Sequence, residues 1–381
     1  MAGGPTSIAQ VRDKTFFAEA PDPGQVLSEF FDALGPGVTE RCAPLCNEPR
    51  PQRCPLILIS QLPRSGGSLL SQLFDGHPQL YAYPYEMRIG YPGKSTWPAF
   101  DPREGPERLF AKLFHTELGQ FAARGYRKPG KAKTKHDRLS FDYSPIAHYQ
   151  AFISLLDSRS RWRKPWSYFA KFSQTGREAS VTRARRQVLD SYFAGFFSAW
   201  PGGKPADPRY ISGFVPNLAL TKASIDGFFR DYPDGRLISI MRSPADWFVS
   251  RRAHTKHGVV RYADLENQMA NWNKMANNAH IYRRRYGDRF LLLSFRELVT
   301  NREGTMRRVC KWGSIDFHPS LLQQTFGGQE IMPNTNFEDK PDRLSEAVLE
   351  RSSQLDASEK ALVHELTKAM QARLAEAGVL L

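Results

Sequence analysis

The densest chemistry in the sequence lies in the eight residues Pro63-Arg64-Ser65-Gly66-Gly67-Ser68-Leu69-Leu70, directly after the apolar run Leu56-Ile57-Leu58-Ile59-Ser60. A Gly-rich turn between a buried strand and a helix points several backbone N–H groups at one place, where the helix dipole adds partial positive charge. Gly66 and Gly67 allow close backbone approach, Ser65 and Ser68 offer hydroxyls, and Arg64 supplies a permanent charge with a fork of donors. The turn suits a phosphate-type anion, although glycines in such a turn can also serve packing alone. It is not a Walker A loop, because no G-x-x-x-x-G-K-[ST] run is present, and it lacks the G-x-G-x-x-G dinucleotide fingerprint. A second element repeats the chemistry. The apolar run ending at Met241 delivers Arg242 in Arg242-Ser243-Pro244, and Ser250 follows eight residues later. Arg242 would emerge at the carboxyl end of a strand, the usual ligand edge of a parallel sheet, and Ser250 lies about two helical turns further on.

The elements that must position these residues can be read from the apolar patterning. Residues 54–60 form a short continuous apolar run, as expected of a strand buried on both faces. Residues 69–74 read as a helix with Ser68 as its cap. Residues 236–241 and 289–294 are two further buried strands, and 210–212 is a weaker one. Helical patterns cover 219–230, 245–252, 262–286 and 302–313. This alternation argues an α/β fold: a P-loop-like parallel sheet flanked by helices on both faces. The tail, 343–378, has helical periodicity and should pack outside the sheet. Residues 1–50 read as an appendage and linker with a short helix at 25–34, and 51–381 as the main domain. No internal repeats occur.

Together the two anion-binding elements resemble the PAPS-dependent sulfotransferases (PAPS is 3′-phosphoadenosine 5′-phosphosulfate). Pro63 to Leu70 is similar to that family's loop P-[RK]-[ST]-G-T-[TS]-x-L. Arg242-Ser243-Pro244 with Ser250 is similar to its R-[DS]-P element with a serine eight residues after the arginine. Asp75-Gly76-His77-Pro78 and the segment Phe290 to Val299 also resemble family segments, and the resemblance extends from about 55 to 378. It implies that Arg64, Ser65, Gly66, Gly67, Ser68 and Leu69 hold the 5′-phosphosulfate of PAPS and that Arg242 and Ser250 hold its 3′-phosphate. It implies that Glu86 is the catalytic base, that Arg64 stabilises the departing charge, and that Arg88 lies on the substrate side; no metal is required. Residues 328–337 resemble a late loop that closes on the nucleotide. Two departures stand out. Gly67 replaces a family threonine, and Gly213-Phe214-Val215-Pro216-Asn217 lacks the lysine that many relatives carry there.

The chain has 381 residues, 53 Lys and Arg against 39 Asp and Glu, a net charge of +14 and 41% hydrophobic residues. That composition is ordinary for a globular protein and excludes disorder or low complexity. No apolar stretch reaches the roughly 18–20 residues of a membrane span. The first residues show no leader pattern, so a cytoplasmic protein with no transmembrane segment is expected. Residues 124–186 hold 16 Lys and Arg against four acids, a local +12, and read as a basic helical insertion. Its interleaved cations and aromatics, Trp162 and Trp166 among them, suit an anionic or glycosidic acceptor, or a solvated basic surface with aromatics turned inward. They also permit peripheral contact with an anionic membrane. No recognisable nucleic-acid module surrounds the charge, so nucleic acid is not expected as a partner; the oligomeric state stays open. The sequence therefore points to sulfation of a carbohydrate or glycolipid hydroxyl. Tyrosine or small-molecule acceptors, or an inactive nucleotide- or nucleic-acid-binding protein, are the alternatives. His77 reads as a structural corner more than a base, and His254 and His257 as helix-end or surface residues. Cys42, Cys46 and Cys54 lack the fourth ligand and tight spacing of a zinc site.

Overall fold

The computed structural model describes residues 53–89, 95–114, 118, 126–127, 138–139, 141–158, 174–200, 205–253, 264–331 and 346–381. The expectations for the appendage 1–50 (with Cys42 and Cys46), for Trp162 and Trp166, for His254 and His257, and for the late-loop residues 332–337 lie outside these residues.

The centre of the molecule is a five-stranded parallel sheet. In chain order its strands are β1 (Leu56–Ser60), β2 (Leu80–Glu86), β5 (Tyr210–Phe214), β6 (Arg236–Met241) and β7 (Phe290–Ser294), arranged β2-β5-β1-β6-β7. Two-residue pairs, β3 (Tyr126–Arg127) with β4 (Arg138–Leu139) and β8 (Thr325–Phe326) with β9 (Gln329–Glu330), stand apart from it. All five residues of β1 are buried, which is why its sequence is a continuous apolar run and not an alternating one. Alternate residues feed two separate cores. Leu56 and Leu58 join one with Ile211, Leu237 and Leu292; Ile57 and Ile59 join the other with Leu80, Ile238, Ile240 and Leu293.

Helices cover both faces, as the α/β reading requires. Packed on the second core are α1 (Gly67–Phe74), α8 (Phe295–Thr300) and α9 (Arg302–Gly313). The first core is covered by α2 (Pro106–Leu113), α3 (Pro145–Ser158), α4 (Gln174–Ala199), α5 (Lys222–Asp231), α6 (Pro244–Ala253), α7 (Leu265–Tyr286) and α10 (Ala357–Glu376). No helix among the described residues is long and apolar enough to cross a membrane.

The structure adds to or corrects the sequence reading at three places. First, β2 is a full strand at the sheet edge. Its Pro84 cannot donate to a ladder, a feature tolerated at an edge, and the pairing register shifts between Ala82 and Glu86. Second, Ser68 does not cap α1. The helix begins two residues earlier than that reading, at Gly67, and its N-cap is Gly66 in a left-handed conformation (φ 104°) with no side-chain cap. A side chain at 66 has no room, since a Cβ there would lie 2.2 Å from Cδ2 of Phe295. Third, the end of the basic insertion, residues 124–186, runs into the helix α4, whose continuation beyond 186 packs in the core. The second half of α4 is core, with Val188, Leu189, Tyr192, Phe193, Phe196 and Phe197 buried. Arg185 is also buried, its Nη2 2.7 Å from the fully enclosed Asp231. Arg186 pairs with Asp190 and Asp234. These two cations stabilise the fold and do not face an acceptor.

Candidate active site at the carboxyl edge of the sheet

The sheet order places the turns after β1, β2, β5 and β6 side by side at the carboxyl edge, the ligand edge of a parallel sheet. The turn after β1 holds Arg64 at φ 81°, a left-handed conformation uncommon for a residue with a side chain. Ser65 is buried, and its N–H donates to Leu62 O at 3.2 Å. The first intrahelical bond of α1 runs from Leu70 N to Gly66 O, 3.0 Å, so the amides of Ser68 and Leu69 stand in the first turn without intrahelical partners. The Leu69 side chain points into the core, leaving only its backbone to meet a ligand.

The turn after β6 is tied to this loop. Trp272 Nε1 donates to Arg242 O (3.0 Å), and Trp247 Nε1, on α6, donates to Pro63 O (3.0 Å). Beneath both lies Phe295. It fills the space under Gly66, and the Arg242 guanidinium sits 4.9 Å over its ring. The two elements that are far apart in sequence therefore share one floor.

What gathers above that floor is positive charge. Arg242 is 4% exposed, and burial first, then the charge of Arg351, pushes its guanidinium down to about 9; Asp246 opposes this and Arg64 adds to it. Arg64 is lowered by burial and then by Arg251. The Nε atoms of both Arg64 and Arg242 are buried without a hydrogen-bond partner. Arg351 is pushed down to about 10 by burial, then by Arg64, with Asp246 opposing, and its Nη1 donates to Ser250 Oγ at 3.0 Å. Among the described residues no acid acts on Arg64, and Asp246 is the one acid acting on Arg242. Neutral donors already engage both Asp246 oxygens: Ser243 Oγ at 2.6 Å and Ser352 N at 2.7 Å. Buried guanidiniums that repel one another across a shared space form a cradle for a multiply charged anion.

The structure brings Arg64, Arg242 and Ser250, which the sequence reading singles out, together with Arg251 and Arg351, which it does not. Arg251 reads as one more cation in the last turn of α6. Arg351 lies about a hundred residues downstream, on a 3-10 turn (Arg351–Gln354) that folds back onto α6. No local pattern links it to Ser250. Val348, in the same segment, accepts a hydrogen bond from Arg242 Nη2 through its carbonyl.

Glu86 ends β2 at the same edge, in register with Phe214 of β5. Arg88 donates to Glu86 Oε2 from Nη2 at 2.8 Å and from Nε at 3.1 Å. Nothing among the described residues donates to Oε1. His77 is not part of the site. Its Nε2–H donates to Asp316 O (2.9 Å) and its Nδ1 accepts from Gln79 N (3.1 Å), which occupies both ring nitrogens in a corner. The thiols of Cys54 and Cys310 are buried and pushed up to about 11, burial being the main cause, so they are inert. Among the described residues no group of three or more His, Cys, Asp or Glu side chains is placed to hold a metal.

Among solved structures, the fold is similar to the sulfotransferase domain of the olefin synthase from Synechococcus PCC 7002. That match has 16% identity, covers 84% of this chain and 96% of that one, and has a TM-score of 0.44. It is also similar to the sulfotransferase domain of the curacin biosynthetic pathway (15% identity, 83% and 98% coverage, TM-score 0.45). A third is a sulfotransferase from Alicyclobacillus acidocaldarius (14% identity, 83% and 96% coverage, TM-score 0.38). A search of curated protein sequences finds no match. The profile of the sulfotransferase family matches residues 55–319, well over half of the chain and all of the sheet. On that match the chain belongs to the sulfotransferase family.

Proposed function

We propose that this sulfotransferase moves the sulfuryl group of PAPS to a hydroxyl of a carbohydrate or glycolipid. The observation that carries the cofactor is the cluster of Arg64, Arg242 and Arg351, the last bonded to Ser250, in which Arg351 and Arg64 both lower the pKa of Arg242 and Arg64 lowers that of Arg351. In this reading Arg242, Ser250 and Arg351 hold the 3′-phosphate. Arg64, the Ser65 and Ser68 hydroxyls and the first-turn amides of α1 hold the 5′-phosphosulfate. Gly66 and Gly67 let the backbone come close.

Sulfuryl transfer, like phosphoryl transfer, passes through a loose transition state with acceptor and leaving oxygens in line. Arg64 and the loop amides stabilise the charge that develops on the departing phosphate oxygen as its bond to sulfur breaks. Glu86 Oε1 takes the acceptor's proton as the new S–O bond forms, a contribution of about 10² to 10⁴-fold. Arg88, paired to Oε2, fixes the carboxylate's orientation. Trp162, Trp166 and the cations around them supply stacking faces and charge for an anionic or glycosidic acceptor. The same basic segment suits a glycolipid presented at an anionic membrane surface.

Thermal-shift titration with 3′-phosphoadenosine 5′-phosphate (PAP) tests the cofactor. Linked stabilisation is expected, and it should weaken sharply in Ser250→Ala. No shift at millimolar PAP would refute the reading. Transfer of labelled sulfate to a panel of glycans, glycolipids, tyrosine peptides and phenols then sorts the acceptors. Nucleotide binding without transfer to any of them would favour an inactive nucleotide-binding protein. Glu86→Gln should bind PAP normally and lose transfer; unchanged transfer would remove it as the base.

A further inference from the structure

The two departures from the family pattern, Gly67 and the absent lysine, meet in space. A Cβ placed on Gly67 would lie 2.5 Å from Cε2 of Phe214 and 2.8 Å from Cδ of Gln61, far inside contact distance. The ring is rigid, and the Gln61 amide, although it ends a flexible chain, is held in place by burial and a hydrogen bond. The Phe214 ring is 3% exposed and packed in the core with Ile57, Ile59 and Leu70. Gln61 is also 3% exposed, and its Oε1 accepts the Gly67 N–H. The Gln61 carbonyl in turn accepts from Asn217 N at 2.9 Å, stitching the turn after β1 to the turn after β5.

Phe214 has a second set of attachments on its other side. It is the register partner of Glu86, and its carbonyl accepts from Met87 N at 2.7 Å. One residue thus presses its ring on the anion loop while its backbone holds the strand end that carries Glu86. We propose that Phe214 is a positioning residue that sets the distance between the phosphosulfate loop and Glu86, with Gly67 as its obligatory counterpart. This rests on the reading of the loop as the phosphosulfate cradle. Phe214 stands in the lysine-deficient segment and brings no charge, so the loop side, Arg64 foremost, supplies the cation. The Gly67 amide, taken by Gln61, leaves the anion to the amides of Ser68 and Leu69.

The test is a double-mutant cycle of Gly67→Ala and Phe214→Ala, read both as melting temperature without nucleotide and as PAP affinity. Gly67→Ala alone should lower PAP affinity by at least about tenfold, because the methyl displaces the loop from the ring. Phe214→Ala opens the space that the methyl needs, so the double variant should return to within about threefold of Phe214→Ala alone in PAP affinity. A residue that served stability alone would move the melting temperature and leave PAP affinity uncoupled. Should Gly67→Ala fail to fold, soluble expression of the double variant is the expected rescue, and failure of both would overturn the proposal. Additive losses of affinity, with a normal PAP shift in the unsubstituted protein, would overturn the proposal alone. No PAP shift in the unsubstituted protein would overturn the cofactor reading and the proposal with it.

Discussion

Replacing Arg242 by Met should stabilise the nucleotide-free protein and abolish its response to nucleotide. The guanidinium is 4% exposed and its Nε has no partner. Its fall from the ordinary value to about 9, caused chiefly by burial and then by Arg351, corresponds to about 5 kcal/mol against the charged form at 1.36 kcal/mol per pH unit. Two contacts offset this. The hydrogen bond to the Val348 carbonyl contributes about 1.5–3 kcal/mol. The position over the Phe295 ring contributes about 0.5–2 kcal/mol. The balance spans about 0–3 kcal/mol, centred near 1.5 kcal/mol, in favour of an apolar side chain, and the thioether of Met adapts to an irregular slot. In a chain of 381 residues, with an unfolding entropy of about 2.1 cal/mol/K per residue, the central value is a rise in Tm of about 2 °C. Calorimetry with and without PAP measures both halves. A fall in Tm of several degrees without nucleotide would refute the electrostatic reasoning, because the charge would then be holding the fold. A retained PAP shift would refute its place in the site.

The opposite sign is expected where the charge is compensated. Arg185 donates to both oxygens of Asp231 and to the carbonyls of Phe100 and Pro98. Arg185→Leu should cost about 3–5 kcal/mol in denaturant unfolding, tempered by the remaining Arg230 contact to Asp231; a loss under about 1 kcal/mol would refute the assignment. His148 gives a pH test. Burial pushes its imidazole down to about 3, with Nε2 donating to Tyr192 O and Nδ1 accepting from the Tyr143 hydroxyl. Folding thus favours the neutral ring. This stability is complete above pH 6.5 and is lost as pH falls toward 3, at up to about 1.4 kcal/mol per pH unit. His148→Gln should flatten the fall of Tm between pH 6 and pH 4, and an unchanged slope would count against it.

The central strands were legible because burial on both faces forces a continuous apolar run, as in Leu56 to Ile59. The edge strand was not, because Pro84 interrupts the alternation of Tyr81, Tyr83 and Tyr85, and only an edge tolerates the missing donor. The anion loop was legible by type and spacing, but its cap was not. Ser68 has the right chemistry to cap a helix, yet the contact between Gly66 and Phe295 moves the start of α1 to Gly67. Phe295 itself, which seats both Gly66 and Arg242, reads in sequence as one more apolar residue after a strand. The local +12 showed abundance and not pairing: Arg185 and Arg186 lie inside it and answer Asp231, Asp190 and Asp234.

Pairing, more than count, identifies the charges that await a ligand. A cation kept for stability is expected to have its acid in hand, as Arg185 and Arg186 do, or to lie where water screens it. Arg64 and Arg242 satisfy neither condition. Arg242 is buried and Arg64 half-buried, each has a buried Nε without a partner, and one acid already engaged by Ser243 and Ser352 serves Arg242 while none serves Arg64. Arg64 adds a left-handed backbone to that cost. Packing alone would favour an apolar side chain at either position. A fold that holds both against that preference stores repulsion, which under the proposed function a phosphate-bearing ligand would relieve on binding. The same repulsion predicts that nucleotide stabilises the protein by more than the hydrogen bonds it forms would supply. Isothermal titration at rising salt separates the parts. Screening reaches exposed charges first, so the affinity contributed by these enclosed guanidiniums should fall only weakly with ionic strength.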